Sequence, residues 1–188
     1  MLRDRIVRKL ETLSDELTGT TRGVVDRARE LREPAGLAPV RGPGVTITLT
    51  DAPEAVIDSV ETAEEINNLV VHQQDIQAVV NALWLGGADA VTIAGQRVIS
   101  TTGIKCEGNA VQLQGVPYPQ PFVIEAVGEP TDLADSVALD PLVSGYLEDS
   151  TNPEIEIGWD LETRDSVTAP AYAGLLDLQY AKPLNESE

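Results

Sequence analysis

Four groups of residues in this chain have types that could do chemistry. The first is the stretch WLGGADAVTIAGQR, residues 84–97, whose glycines look like a phosphate-cradling loop. A nucleotide site needs a strand, then a glycine turn, then a helix whose N-terminal N–H groups meet the phosphate. The order here is reversed. Gly86 and Gly87 follow a helical pattern, where a left-handed C-cap is expected, and Gly95-Gln96 falls in a tight turn between strands. These glycines are read as turns of the chain.

The second is Arg97, beside that turn. It could receive an anion or a partner's carboxylate bidentately, or close an internal salt bridge with one of the many local acids. Gln96 and Arg97 are therefore candidate interaction residues. The third is the sole His and Cys, His72 and Cys106. A reactive thiol needs a cationic or helix N-terminal setting, whereas Cys106 lies in a strand pattern just before Glu107. No Gly-x-Ser-x-Gly elbow is present. One His and one Cys also leave a zinc site to carboxylates.

The fourth is the acid-rich connection of residues 51–69, with Asp51, Glu54, Asp58, Glu61, Glu64 and Glu65. No Asp-x-Asp-x-Asp-Gly spacing organises these for calcium, so a solvated acidic loop is expected. Paired carboxylates could also serve glycoside hydrolysis, but the chain has only seven aromatics. Trp84, Phe122 and Trp159 fall on apolar faces, which leaves Tyr118 in GVPYPQP as the one exposed stacking candidate. No catalytic residue, cofactor or metal ligand is assigned.

The elements that must position these residues follow from periodicity. VTITLTD alternates Val45, Ile47 and Leu49 with threonines, as a strand with one buried face does. Ile76, Val79, Val80 and Leu83 form the buried stripe of a helix that has His72 at its N-cap, Asp75 at N3, and Val71 with Ile76 as a hydrophobic staple. Strands are predicted at about 89–94, 97–106, 111–114 and 122–127, with AGQ, EGN and GVPYPQP as turns. A second helical stretch starts near Pro130 and is interrupted at Pro141. EIEIGWDL then alternates acids with Ile155, Ile157, Trp159 and Leu161, a strand whose acidic face discourages edge pairing. The order predicts an α+β fold: a largely antiparallel sheet with two helices on one face, akin to a ferredoxin-like split βαβ with an extra hairpin.

Upstream, Ile6, Leu10, Leu13, Leu17, Val24 and Leu31 follow a heptad rhythm, with Thr20 and Arg27 in the two intervening positions. Residues 1–33 are predicted to form a coiled-coil helix that needs a partner strand, either a second copy paired through residues 6–31 or another protein. Pro34, Pro39 and Pro43 make 34–44 a linker, 45–182 the α+β domain and 183–188 an acidic tail.

Nine of the 13 Lys/Arg and seven of the 31 Asp/Glu lie in residues 1–41, leaving four and 24 for the remainder. A domain this acidic, without a basic stripe, excludes nucleic acid as a partner. A lone cysteine argues against a disulfide-stapled fold. No run of about 18 apolar residues and no signal-peptide core occurs in the chain.

The blocks GPGVTITLTD, VHQQDIQAVVNALWLGGADAVTIAGQRVIS and GNAVQLQGVPYPQPFVIEAVGEP, followed by Leu133, resemble the YlxW-like bacterial family over about residues 42–182. That family is a domain of unknown function found in Firmicutes and Actinobacteria. Its recurring Asn81, Gly87, Ala88, Gly95, Gln96 and Arg97 match the same residue types here, and no catalytic residue is carried over. The resemblance implies an extracytoplasmic domain behind a membrane helix and a coiled coil, with genes often near cell-division and envelope genes. By that resemblance the chain is the extracytoplasmic part of an anchored protein, with Leu2 following the membrane segment.

The expected function is a non-enzymatic, membrane-anchored, dimeric scaffold that positions envelope or division proteins. The alternatives are a small-ligand sensor or binding module near Arg97 and, behind it, a hydrolase of cell-wall glycan or peptide.

Overall fold

The computed structural model describes Lys9 and residues 19–174. Residues 19–30 are helical (α1) and end in turns over 31–36. Ile6, Leu10, Leu13 and Leu17 lie outside the described residues, as does the tail 183–188. Val24 and Leu31 are 65% and 57% exposed.

The domain then runs β1 (Val40–Thr50), α2 (Glu54–Ile57), α3 (Ala63–Asn68), α4 (Gln73–Leu85), β2 (Ala90–Ile93) and β3 (Gln96–Val98). It continues through β4 (Ile104–Glu107), β5 (Ala110–Leu113), β6 (Val116–Pro119), β7 (Phe122–Val127), α5 (Pro130–Leu139), α6 (Pro141–Thr151) and β8 (Gly158–Ala169). The fold is mixed α+β with two antiparallel sheets. One has the strand order β3-β2-β7-β1-β8, the other β4-β5-β6. In the larger sheet β1 and β2 run parallel with β7 between them, and β7 and β8 run parallel with β1 between them.

Alternation places Val45, Ile47 and Leu49 of β1 on the same face as Phe122, Ile124 and Ala126 of β7 and Val91 and Ile93 of β2. Against that face pack Ile76, Val79, Val80 and Leu83 of α4, Leu133 and Val137 of α5, and Val143 and Tyr146 of α6. Full burial of each large aliphatic side chain is worth roughly 1.5–3 kcal/mol. A smaller cluster of Ala90, Val127, Val167 and Ala169 lies on the opposite face, with Val40 packed against it.

Several expectations change. The stretch 34–44 is not a free spacer, because Val40–Gly44 belong to β1. Val40 pairs with Ala169, and the ladder shifts register between Gly42 and Gly44. Pro43 sits at that irregularity, where a residue without an N–H is tolerated. The predicted strand 97–106 is two strands, β3 and β4, separated by a turn in which Thr102 Oγ1 accepts from the Ile99 N–H at 2.9 Å. Part of GVPYPQP is strand β6. EIEIGWDL is strand only from Gly158, since Glu156 has φ 54° and breaks the extended run before it. As expected, β8 is an edge strand, with Asp160 and Glu162 exposed.

The acidic connection is structured. The Thr62 N–H and hydroxyl donate to Glu65, which in turn gives its N–H to Thr62 Oγ1, a capping box at the start of α3. Those bonds hold the Glu65 carboxyl below its usual range.

A candidate ligand cleft beside Arg97

The tight turn between β2 and β3 is built from Ala94 (φ 48°) and Gly95 (φ 74°). Positive φ at both central residues matches a hairpin of the primed type. It aligns Gln96 with Ile93 and Arg97 with Thr92. Gln96 is half-buried in that ladder.

Arg97 is only 4% exposed. It has no carboxylate within salt-bridge distance among the described residues; its Nη1 donates to the carbonyls of Ala38 and Pro170, both at 3.3 Å, and its Nη2 to that of Asp89 at 3.4 Å. The expected internal salt bridge is thus replaced by backbone acceptors from three separate segments. These bonds are long, and burial lowers the guanidinium pKa from its usual value. Among the described residues Arg97 Nε has no hydrogen-bond partner, and neither does Thr92 Oγ1, which is also buried. The two residues are direct cross-strand neighbours.

Arg97 lines a cleft of about 520 Å³, together with Pro34, Gly36, Trp84, Asp89 and Ile99. Gly36 has φ +73°, and a Cβ there would lie 2.6 Å from Ile99 Cγ2 and 3.8 and 3.9 Å from Arg97 Nε and Nη2. Only glycine fits that position. The turn is held by Gly36 N–H to Glu33 O at 2.9 Å and Tyr172 N–H to Gly36 O at 2.8 Å. Trp84 was expected in the core; it is 38% exposed, because it falls one position beyond the buried stripe that ends at Leu83. Sequence reasoning found Arg97 by its scarcity among acids but missed Trp84 and Gly36. For the latter the available signal was a glycine shortly after a helix end.

Tyr118, the expected exposed platform, is half-buried opposite Val111 in the small sheet and packs against the core. His72 and Cys106 reach one further cleft, of about 310 Å³, with Asp51 and Asn67. His72 Nε2 is 2.9 Å from Asn67 Oδ1, and its backbone N–H donates to Asp75 at 2.7 Å, the N-cap role expected of it. Cys106 is exposed, and its backbone N–H donates to Gln73 Oε1 at 3.1 Å. Gln77 Nε2 donates to the Ile104 carbonyl at 3.1 Å. Gln73 and Gln77, one turn apart on α4, thereby satisfy the outer edge of β4.

Residues 27–182 match the family described as "Bacterial protein of unknown function (DUF881)". The chain is 37% identical over 114 residues to UPF0749 protein YlxW of Bacillus subtilis, covering 61% of this chain and 47% of that protein. It is 31% identical over 152 residues to UPF0749 protein Rv1823 of Mycobacterium tuberculosis, covering 80% of this chain and 48% of the relative. The chain therefore spans about half the length of the curated relatives it matches. A solved structure, that of an uncharacterized conserved protein from Mycobacterium tuberculosis, aligns with a TM-score of 0.60 at 22% identity. The alignment covers 84% of this chain and 99% of that one, a likeness of fold. With the match extending from the end of α1 through every strand and helix of the domain, the chain belongs to the DUF881 family.

Proposed function

We propose that the chain is a non-enzymatic interaction module: a membrane-anchored, dimeric scaffold of the bacterial envelope. Its N-terminal helix would pair with a second copy, and its α+β domain would present surfaces to envelope or division proteins. The observation that carries this reading is the exposure of Val24 and Leu31. They stand seven residues apart, and Ile6, Leu10, Leu13 and Leu17 extend the same spacing in the sequence. The extracytoplasmic placement, the tether and the link to division rest on the family resemblance. The two interleaved parallel strand pairs support reading the larger sheet as a ferredoxin-like split βαβ, with β3 as the added hairpin arm.

Light scattering of the full chain and of a Val24→Asp/Leu31→Asp double variant tests the scaffold. A dimer that becomes a monomer, with an unchanged circular dichroism spectrum, is expected. A wild-type monomer at high concentration, or unfolding of the double variant, would overturn it.

The cleft beside Arg97 favours a second reading, a small-ligand binding module. A largely apolar concavity with a few convergent polar groups is the usual form of such sites.

A further inference from the structure

Resting on the ligand-binding reading, we propose that the Arg97 cleft receives a small organic monocarboxylate, its carboxylate on Arg97 and its apolar body against Trp84 and Pro34. Four features support this assignment.

The side-on edge of a guanidinium, Nε with Nη2, is the fork that accepts a carboxylate in two parallel bonds. Nη1 of Arg97 is committed to two carbonyls, whereas among the described residues Nε is unpartnered and Nη2 has given Asp89 O only one of its two hydrogens. The under-bonded edge is therefore the bidentate one. Gly36 stands beside this edge: the position its Cβ would take is almost equally far from Nε and Nη2, at 3.8 and 3.9 Å. Any other residue there would crowd the fork.

Charge points the same way. A cation so deeply buried, whose hydrogen-bond acceptors among the described residues are all backbone carbonyls, gains most from a full negative charge. Thr92, across the ladder, adds a second buried polar group that lacks a partner among the described residues. Asp89 also lines the cleft and would repel a second negative group, which selects a monoanion over a polyanion. Beside the polar Ser100 and Thr101, the lining includes Trp84, Pro34, Val98 and Ile99, which suit a hydrocarbon or aromatic body.

The test is calorimetric titration of the full chain with phenylacetate, octanoate and neutral phenylacetamide, at up to millimolar concentrations. Saturable one-to-one binding of at least one acid, about tenfold or more tighter than the amide, is expected. Arg97→Gln should reduce the acid to the level of the amide and leave the amide unchanged. Equal affinity for acid and amide would make Arg97 a structural tie only, overturning the carboxylate assignment while leaving a ligand cleft. Binding of none of the three would overturn both. Should Arg97→Gln fail to fold, Trp84→Ala serves as the second variant, since its ring is partly exposed. Acid binding that survives that change at full strength would place the site elsewhere and sink the assignment.

Discussion

Asp51 and Gln120, 69 positions apart, hold each other by two reciprocal bonds. The Asp51 N–H donates to Gln120 Oε1 at 2.8 Å, and Gln120 Nε2 donates to Asp51 Oδ2 at 2.9 Å. The other carboxylate oxygen accepts from the Val71 N–H at 2.8 Å. One side chain thus ties the end of β1 to the short link between β6 and β7 and to the chain entering α4.

Asp51→Ala should leave the Val71 N–H and the Gln120 amide without their acceptor, at a cost of about 1–3 kcal/mol. Asp51→Asn keeps one acceptor oxygen and should cost less. Urea unfolding midpoints of the two variants check the order; equal midpoints for Ala and wild type would show that water replaces the clasp without loss.

Helices α4 and α5 meet where Ser136 Oγ donates to the Ala82 carbonyl at 2.8 Å. A Cβ on Gly86 would come within 2.2 Å of that hydroxyl and 3.1 Å of the Asp132 carbonyl oxygen. Gly86→Ala is expected to destabilise by about 1–3 kcal/mol through overpacking. Adding Ser136→Ala should recover part of that loss, because the nearest clash is with its hydroxyl. A thermodynamic cycle over the two single variants and the double one measures the coupling, and strict additivity would refute the contact.

Burial raises the Asp75 carboxyl above its usual pKa, outweighing the stabilising N–H of His72, while Asp149 adds repulsion. Its surroundings also include the half-buried His72 ring and the Tyr146 hydroxyl. The folded protein then keeps a proton at a pH where the unfolded chain has released it, so this group's contribution declines as pH rises from the usual Asp range through the raised value. Asp75→Asn keeps an acceptor for His72 and does not titrate. Chemical denaturation from acid to neutral pH should show the Asn variant gaining on wild type as pH rises; a constant difference would remove Asp75 as the source.

Tyr146 donates to the Gly158 carbonyl at 3.0 Å, and its ring meets Trp159 at a centroid distance of 5.9 Å. Burial holds the phenol protonated well beyond its usual range. Tyr146→Phe keeps the ring contact and unpairs one carbonyl at the start of β8, an expected loss of about 1 kcal/mol. Thermal unfolding compared with wild type measures it.

Helices α4, α5 and α6 were legible because their signals are local, whereas α2 and α3 fell in a stretch read as a solvated acidic loop. His72 with Asp75, the stripe ending at Leu83, and the prolines at 130 and 141 each announce an end or a face within a few residues. The strand 122–127 was legible for the same reason, as a short apolar run between turns. β6 was hidden because its residues, Val-Pro-Tyr-Pro, carry turn chemistry and are strand only through pairing with β5. The start of β1 was hidden because Pro39 and Pro43 mark a linker unless a partner strand is known, and that partner begins more than 110 residues later. Arg97 could be singled out by charge, but its neighbours Gly36 and Trp84 come from α1's turn and α4's end. No spacing rule links them.

The register that pairs Val40 with Ala169 and Thr50 with Gly158 also orders events in time. During synthesis β1 emerges first, but its β8 neighbour comes last, so the larger sheet has one open edge on β1 until nearly the whole domain has left the ribosome. Such long-range closure makes folding slow relative to a helical domain of the same size. A nascent chain halted before residue 158 would expose the backbone groups of β1 to other strands, and aggregation of such fragments is the hazard that this topology carries.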